Sequence, residues 1–233
     1  ARETPLEATR LLERRLRYGM YPGVILADDP VESVMEIATS YLYRDVLEYQ
    51  SVKSPDVLRR LLQALALRVG SEVSYNELAT LLGIDKVTVE RYVALLEKAF
   101  IVFRLPPFSR NLHKELAKLR KVYFYDLGIR NALMNNFNPL DLRNDSGALW
   151  ENFFVSERVK FNHNRRRRVN TYFWRTYDRA ELDYLEEEGG RLEGFECKWS
   201  TARWRPPAAF TAAYPGSETN LVNRANYLDF LTP

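Results

Sequence analysis

The sequence is poor in the residues that build covalent cross-links or soft-metal sites. It contains one cysteine, Cys197, and two histidines, His113 and His163. A single thiol excludes an intramolecular disulfide and is typical of a reducing compartment. So few thiol and imidazole ligands also argue against a zinc site. We therefore expect a cytoplasmic protein whose site, if it has one, uses other chemistry.

The chain also lacks a long apolar run, a signal-peptide pattern and a phosphate-binding loop. No apolar run approaches the ~20 residues that a membrane helix needs. None of the ten glycines is followed by lysine, so the GxxxxGK[ST] motif that cradles ATP phosphates is absent. We expect no membrane partner and no ATP site in this chain. The first residue is Ala1 rather than Met, which indicates a piece of a longer protein.

Charge is nearly balanced and distributed with a slight asymmetry. The 34 basic and 31 acidic residues give a net charge of +3. Up to residue 107 there are 14 basic and 15 acidic residues, against 20 and 16 in the remainder. The second half therefore leans mildly basic, which permits nucleic-acid contact without requiring it.

Three segments follow from the periodicity of apolar residues and from the position of proline. Residues 1–53 are predicted to be a helical lead-in, because apolar residues recur there at helical spacing. Residues 54–107 are predicted to form a winged helix-turn-helix, and residues 108–233 a mixed α/β domain. The whole chain is therefore expected to be of the α+β class.

Local signals in the second segment support that prediction. Ser74 with Glu77 forms a capping box, Gly83 ends the second helix and Asp85 caps the third. A strand, Phe100–Leu105, follows. Helix, short glycine turn, helix and strand is the pattern of a winged helix.

A hairpin in the third segment carries the strongest chemical signal. It reads AELDYLEEE, then Gly189-Gly190, then RLEGFECKWS. A two-residue Gly-Gly turn would place Asp183 opposite Glu196, and Glu181 opposite Lys198. Because side chains alternate along a strand, these four polar residues would share one face. The other face would carry Leu182, Tyr184, Phe195, Cys197 and Trp199.

Two carboxylates directly opposite each other in a sheet are destabilising unless something neutralises them. A hard divalent cation such as Mg²⁺ or Mn²⁺ takes carboxylate oxygens, and Lys198 on the same face could then orient a water or stabilise a phosphate. The alternative is a solvated polar face of an amphipathic hairpin. A slip of one residue in register would move one strand's set to the opposite face.

Asp183 followed by Glu196-Cys197-Lys198 resembles the Asp…Glu-x-Lys signature of the PD-(D/E)xK, restriction-endonuclease-like nucleases. More broadly, SYNELATLLGIDKVTVERYVALLEKAFIVFRLPPFSRN, KVYFYDLGIRNAL, GALWENFF, the hairpin and NLVNRANYLDFL resemble, in that order, the C-terminal region of a family of prokaryotic AAA-type ATPases. YGMYPGV and YLYRDVLEY resemble that family's lid and linker.

This resemblance implies an ATPase module before the chain, then a winged helix and a nuclease-like domain with a mixed sheet. Asp183 and Glu196 would bind the metal, Glu151 in GALWENFF would complete its ligands, and Lys198 would support the attacking water. ATP would bind only in the preceding module. Leu182 stands where the motif name has proline. Many members of such families keep the fold and lose the activity.

Two basic segments are candidates for DNA contact. Arg165, Arg166, Arg167 and Arg168 form a run that could contact phosphates beside the metal site, or form a solvated loop tip. Lys86 and Arg91 lie on the third helix of the winged helix, where Asp85 and Glu90 offset their charge.

The first hypothesis is a Mg²⁺-dependent nuclease-like module that acts on DNA and is coupled to its own ATPase module. The runner-up is a catalytically silent module that binds DNA or protein and regulates the ATPase. A third is a purely structural interaction domain. The sequence leaves homo-oligomerisation open.

Overall fold

The computed structural model describes residues 5–40, 54–108, 119–178, 180–200 and 203–232. Within its described residues, the predicted lead-in forms three helices, α1 (Pro5–Tyr18), α2 (Pro22–Ile25) and α3 (Pro30–Thr39). The segment YLYRDVLEY, which resembles a linker, lies outside the described residues.

The second segment contains the helices and the strand that its sequence predicts. The elements are α4 (Pro55–Leu67), β1 (Glu72–Ser74), α5 (Tyr75–Leu82), α6 (Lys86–Lys98) and β2 (Val102–Leu105). Ser74 accepts from the Glu77 amide, Asp85 accepts from the Thr88 amide, and Gly83 ends α5 with φ of 68°. The caps predicted from sequence are therefore confirmed.

The remaining elements form a helix-rich stretch and a second sheet. They are β3 (Leu119–Phe124), α7 (Leu127–Leu133), a 3-10 turn (Leu140–Leu142), α8 (Ser146–Asn164), β4 (Asn170–Arg175), β5 (Glu181–Glu188), β6 (Arg191–Cys197), α9 (Ala208–Ala213), β7 (Glu218–Val222) and α10 (Leu228–Leu231). The chain is thus of mixed α+β class, as expected.

The strands of the described ranges form two sheets of different kinds. The first has the order β1-β3-β2 and is antiparallel. The second has the order β4-β5-β6-β7 and is mixed, because β7 runs parallel to β6. β3 belongs to the first sheet although it follows the expected domain boundary at residue 107. Residues on both sides of that boundary therefore build one sheet.

The hairpin has the predicted register over most of its length. Glu188 pairs with Arg191 across a two-residue turn, and the ladder continues to Tyr184 opposite Phe195. Gly189 and Gly190 both have positive φ, 58° and 82°, as this tight turn requires. The ladder ends at that pair, so Asp183 and Glu196 are the next residues beyond it.

The prediction that Leu182 and Tyr184 share one face is wrong. Between the pairs Tyr172–Leu185 and Trp174–Leu182, β4 has one residue and β5 has two, which is a β-bulge at Asp183 and Tyr184. Leu182 consequently packs with Trp174, Leu185, Leu192 and Phe210, whereas Tyr184 joins the core cluster that contains Phe195 and Cys197. The extra residue breaks the simple alternation that the prediction assumed.

Helix α8 lies at the centre of the molecule and contacts both β3 and β6. It buries residues on most of its surface, including Trp150, Phe154 and Asn152. The Asn152 amide exchanges two hydrogen bonds with the backbone of Phe124 on β3. This fixes the first turns of α8 against the first sheet, and the same turns carry Glu151.

Candidate acidic site between the two sheets

Glu151 projects from α8 toward β3. Its Oε1 accepts a hydrogen bond from the Tyr123 hydroxyl at 2.6 Å and one from the Lys121 ammonium at 2.9 Å. Its side chain retains 14% of its accessible surface. Two side chains of the first sheet therefore bind Glu151 directly.

Asp183 enters the same place from the bulge in β5. Its Oδ1 lies 3.2 Å from the Lys121 Nζ, and its Oδ2 accepts a hydrogen bond of 2.9 Å from the Cys197 amide. The carboxylate therefore reaches across to the backbone of β6 at the residue after Glu196. Asp183 is 5% exposed, so it cannot be described as a solvated residue on a polar face.

Glu196 and Lys198 form a pair at the end of β6. The Lys198 Nζ lies 2.6 Å from Glu196 Oε1. Within the described part of the chain, Glu196 Oε2 is buried and has no hydrogen-bond partner. A buried carboxylate oxygen without a partner is costly, so this atom is a natural position for a ligand. We name Glu151, Asp183 and Glu196 the acidic cluster.

The charge of Asp183 acts on both glutamates of the acidic cluster. Burial and then the charge of Asp183 raise the pKa of Glu151 well above its usual value, and the same two causes raise the pKa of Glu196. Glu181, the predicted neighbour of Lys198, adds a smaller upward contribution to the pKa of Glu196. Asp183 thus lies near both glutamates, and the hairpin residues predicted from sequence converge.

Sequence reasoning missed two members of this site, Lys121 and Tyr123, which both come from β3. They are two positions apart and therefore point the same way from their strand. Burial alone would lower the pKa of Lys121, but the charges of Glu151 and Asp183 outweigh it and raise that pKa. A lysine inside the apolar strand KVYFYD was a usable signal, because a buried ammonium needs an acidic partner.

The donor set suits a hard divalent cation in its chemistry, since it consists of carboxylates and includes the unpartnered oxygen of Glu196. The positions of these side chains differ from those of the ligands in a formed metal site. Over the described ranges, no three His, Cys, Asp or Glu side chains are placed to hold a metal ion together. The Lys121 ammonium lies between Glu151 and Asp183 and binds an oxygen of each.

The run Arg165–Arg168 does not lie beside the acidic cluster. It follows the C-terminal end of α8, whereas Glu151 is near the N-terminal end. Fourteen residues separate Glu151 from Arg165, which corresponds to about 21 Å of helix. Arg167 is engaged with Glu186 and Glu188 at 3.3 and 2.8 Å, while Arg165, Arg166 and Arg168 are exposed. The run thus lies at the other end of α8 from Glu151, and phosphate contact by these arginines stays a prediction.

The other predicted DNA contacts lie on the exposed side of α6. Lys86 pairs with Glu90 at 3.3 Å, and the Arg91 guanidinium lies 5.4 Å from the ring centroid of Tyr92. The opposite side of α6 buries Val89, Val93 and Leu96 in the first core. Lys86 and Arg91 are thus on a separate surface from the acidic cluster.

Cys197 is a core residue, in keeping with its predicted place on the apolar face of the hairpin. It is buried beside Tyr184 and Phe195. Burial and then the charge of Asp183 raise the pKa of its thiol well above the ordinary value. A thiol held in its protonated form is a poor nucleophile, so the chemistry of the site belongs to its carboxylates and amines.

Two family models match successive parts of the chain. Residues 9–140 match a model described as a domain of unknown function, DUF8612, and residues 146–227 match a second one, DUF4143. The junction between the two matches falls just before α8. Among the described residues, no helix has the length and apolar character needed to span a membrane.

Relatives with recognisable similarity come from bacteria and archaea. Uncharacterized proteins of Mycobacterium tuberculosis and Mycobacterium bovis are each 32% identical over 162 residues, which cover 69% of this chain and 36% of theirs. An uncharacterized protein of Methanocaldococcus jannaschii is 32% identical over 127 residues, covering 52% of this chain and 26% of that protein. The chain thus spans about a third of the length of the two mycobacterial relatives. No solved structure matches it.

Proposed function

We propose that this chain, which belongs to the DUF8612 family, is a DNA-facing module of a longer ATPase and carries a nuclease-like site that depends on Mg²⁺ or Mn²⁺. The observation that carries the proposal is the convergence of three largely buried carboxyl groups, with one oxygen of Glu196 left unpartnered. An acidic cluster of this kind is costly to fold and therefore calls for a cationic ligand.

The architecture supports this proposal in two places. The helices α4 to α6 with the first sheet agree with a winged helix. The second unit runs α8, three antiparallel strands, α9 and then β7 parallel to β6, which agrees with a nuclease-like domain built on a mixed sheet. The preceding ATPase module and DNA are the partners that the proposal requires.

In the proposed site, Asp183 and Glu196 hold the cation and Glu151 completes the ligand set. A bound divalent cation would supply Lewis acidity and lower the pKa of a water. Lys198 is held by Glu196 at 2.6 Å and is half exposed. It can therefore meet a phosphate or orient the water without leaving its partner.

The second candidate is a catalytically silent module that binds DNA or protein and regulates the ATPase. The observation that favours it is the Lys121 ammonium, which already binds one oxygen of Glu151 and one of Asp183. A cluster satisfied by an internal cation can be a structural junction between the sheets. The two candidates differ in whether the site cleaves DNA when a divalent cation is supplied.

Titration calorimetry with Mn²⁺, followed by a DNA cleavage assay, separates them. We expect one cation to bind the wild-type chain, and Asp183→Asn and Glu196→Gln to abolish binding. Glu187→Gln, on the same hairpin but outside the acidic cluster, is the matched control and should bind normally. The same four proteins are then incubated with plasmid DNA and Mg²⁺.

Cation-dependent cleavage that is lost in both cluster variants supports the nuclease-like site. Cation binding with intact plasmid supports the silent module instead. Absence of cation binding in the wild-type chain would overturn the metal-dependent site.

DNA binding is tested through its salt dependence. Each phosphate contact contributes about −0.9 to the slope of log affinity against log salt concentration. We expect Lys86→Gln with Arg91→Gln to reduce the slope by about 2 if both contact phosphates. The triple change of Arg165, Arg166 and Arg168 to Gln examines the other surface. Binding that is absent, or unaffected by salt, would contradict the DNA-facing role.

A further inference from the structure

We propose that Lys121 is a resident cation of the acidic cluster, and that a divalent cation binds there only by displacing its ammonium from Glu151 and Asp183. This inference rests on the proposed function for its ligand. It adds a residue from the first sheet to a site whose other charged members come from α8, β5 and β6. Lys121 would thereby set the affinity of the site.

The Lys121 ammonium occupies the position that a cation shared by Glu151 and Asp183 would need. The ammonium lies 2.9 Å from Glu151 Oε1 and 3.2 Å from Asp183 Oδ1, and the side chain retains 6% of its accessible surface. These are the carboxylate oxygens that an ion shared by Glu151 and Asp183 would use. Two cations cannot occupy one position, so the ammonium contact and the ion are alternatives.

The side chain of Lys121 can move while its backbone stays in place. Lys121 is on the central strand of the first sheet, paired with Glu72 on one side and Leu105 on the other. Its backbone is therefore fixed from both sides. Its four-carbon stem is flexible, and an ammonium is a point charge that keeps no fixed fork geometry. Displacement would then be a side-chain movement that leaves both sheets intact.

A divalent cation also carries more positive charge than the ammonium that it would displace. Lys121 supplies one positive charge to two carboxylates, while Lys198 binds Glu196. When its three carboxyl groups are ionised, the cluster therefore keeps more negative than positive charge within contact distance. A divalent ion brings twice the charge of the ammonium to the same oxygens, which gives it a Coulombic advantage. The position of the Lys121 ammonium explains why, among the described residues, the carboxylates are not arranged around a single metal position.

The test compares the wild-type chain with Lys121→Met, which keeps the length of the stem and removes the charge. We expect Mn²⁺ to bind Lys121→Met at least about tenfold more tightly, because the competing cation is gone. Without metal its Tm should fall, since two carboxylates lose their partner, and Mn²⁺ should raise that Tm more than it raises the wild-type Tm. Lys160→Met removes a lysine that pairs with Glu157 at 2.7 Å, outside the cluster, and should leave Mn²⁺ affinity unchanged.

If Lys121→Met does not fold, the wild-type chain still provides a test. The Lys121 ammonium signal in a ¹⁵N-lysine-labelled sample is identified by its absence from Lys121→Arg. Addition of Mg²⁺ should shift or broaden that signal as the ammonium leaves its carboxylates. Mg²⁺ that binds by calorimetry while the signal stays unchanged would overturn the inference.

Failure of the inference is distinguishable from failure of the proposed function. Equal Mn²⁺ affinity in the wild-type chain and Lys121→Met overturns only the role of Lys121. Binding in Lys121→Met alone supports that role and assigns the wild-type chain to the silent class. No binding in either protein overturns both proposals.

Discussion

Asp145, which does not belong to the acidic cluster, is bound by two arginines. It precedes α8 and accepts hydrogen bonds from Arg130 at 2.6 Å and from Arg143 at 2.8 Å. Burial alone would raise the pKa of Asp145, but the hydrogen bond from Arg143 and the charge of Arg130 outweigh it and lower that pKa to about 2. Both arginines are themselves buried, whereas the Asp145 side chain retains 23% of its accessible surface.

This lowered pKa predicts an acid-dependent contribution to stability. A carboxyl group whose folded pKa lies below its unfolded value stabilises the fold above the unfolded pKa and loses this effect as pH falls through the folded one. We expect Asp145→Asn to lower the free energy of unfolding by about 2 kcal/mol at pH 6 and by about 1 kcal/mol at pH 3. Urea titrations at both pH values measure the difference. Asp141→Asn, in the preceding exposed turn, is the control. A difference between the wild-type chain and Asp145→Asn that does not shrink at low pH would contradict the assignment.

The sequence predicted the hairpin residues of the site because they carry a local pattern. Asp183, Glu196 and Lys198 flank a Gly-Gly turn whose geometry fixes the register. Glu151 required the family resemblance, since an acidic residue near the start of a helix has a common structural explanation. Lys121 and Tyr123 were missed because their contacts depend on how the first sheet packs against α8, which no local pattern encodes.

At the scale of elements, the helices and strands predicted within the described residues are present, but their ends differ and strand β1 was not predicted. Strand β2 begins at Val102 rather than Phe100, because Phe100 has a left-handed φ of 54°. The bulge in β5 was not predicted. A bulge depends on both neighbouring strands, and the sequence of β5 alone reads as a regular alternation.

The loop after α4 packs against the acidic cluster at Gly70, and substitution of this glycine tests the contact. Gly70 has φ of 74°, and a Cβ there would lie 3.1 Å from Glu151 Oε2. Gly190 has a similar φ of 82° but open space around the added atom. We expect Gly190→Ala to lose about 1 kcal/mol of stability through backbone strain alone, and Gly70→Ala to lose more. Equal losses in denaturant titrations would show that Glu151 yields freely to the added methyl group.

At the scale of the whole molecule, two family matches meet in a single packed structure. Lys121 and Tyr123 of the first sheet bind Glu151 on α8, and Arg175 on β4 pairs with Glu72 on β1 at 2.7 Å. The backbone of Phe173 also pairs with the segment at Pro107. The buried contacts between the two matched regions include charged groups that would be left unsatisfied if one region unfolded alone.

We therefore expect the described regions to unfold together. All four tryptophans lie at position 150 or beyond, so tryptophan fluorescence reports on the second matched region. Far-UV circular dichroism has a large contribution from α1 to α7, which precede it. The two signals should give coincident transitions in urea. Separate midpoints, with the fluorescence transition displaced, would mean that the buried junction does not couple the regions.

The bulge in β5 has a consequence for insertions and deletions in this strand. Asp183 and Tyr184 together face a single residue, Phe173, of the neighbouring strand. A chain one residue shorter at this point would gain a regular β-ladder and lose the carboxylate that reaches Lys121 and the Cys197 amide. The fold would tolerate the shortening better than the site. A sequence comparison that treats a one-residue gap here as harmless would therefore align the strands correctly and misplace the aspartate.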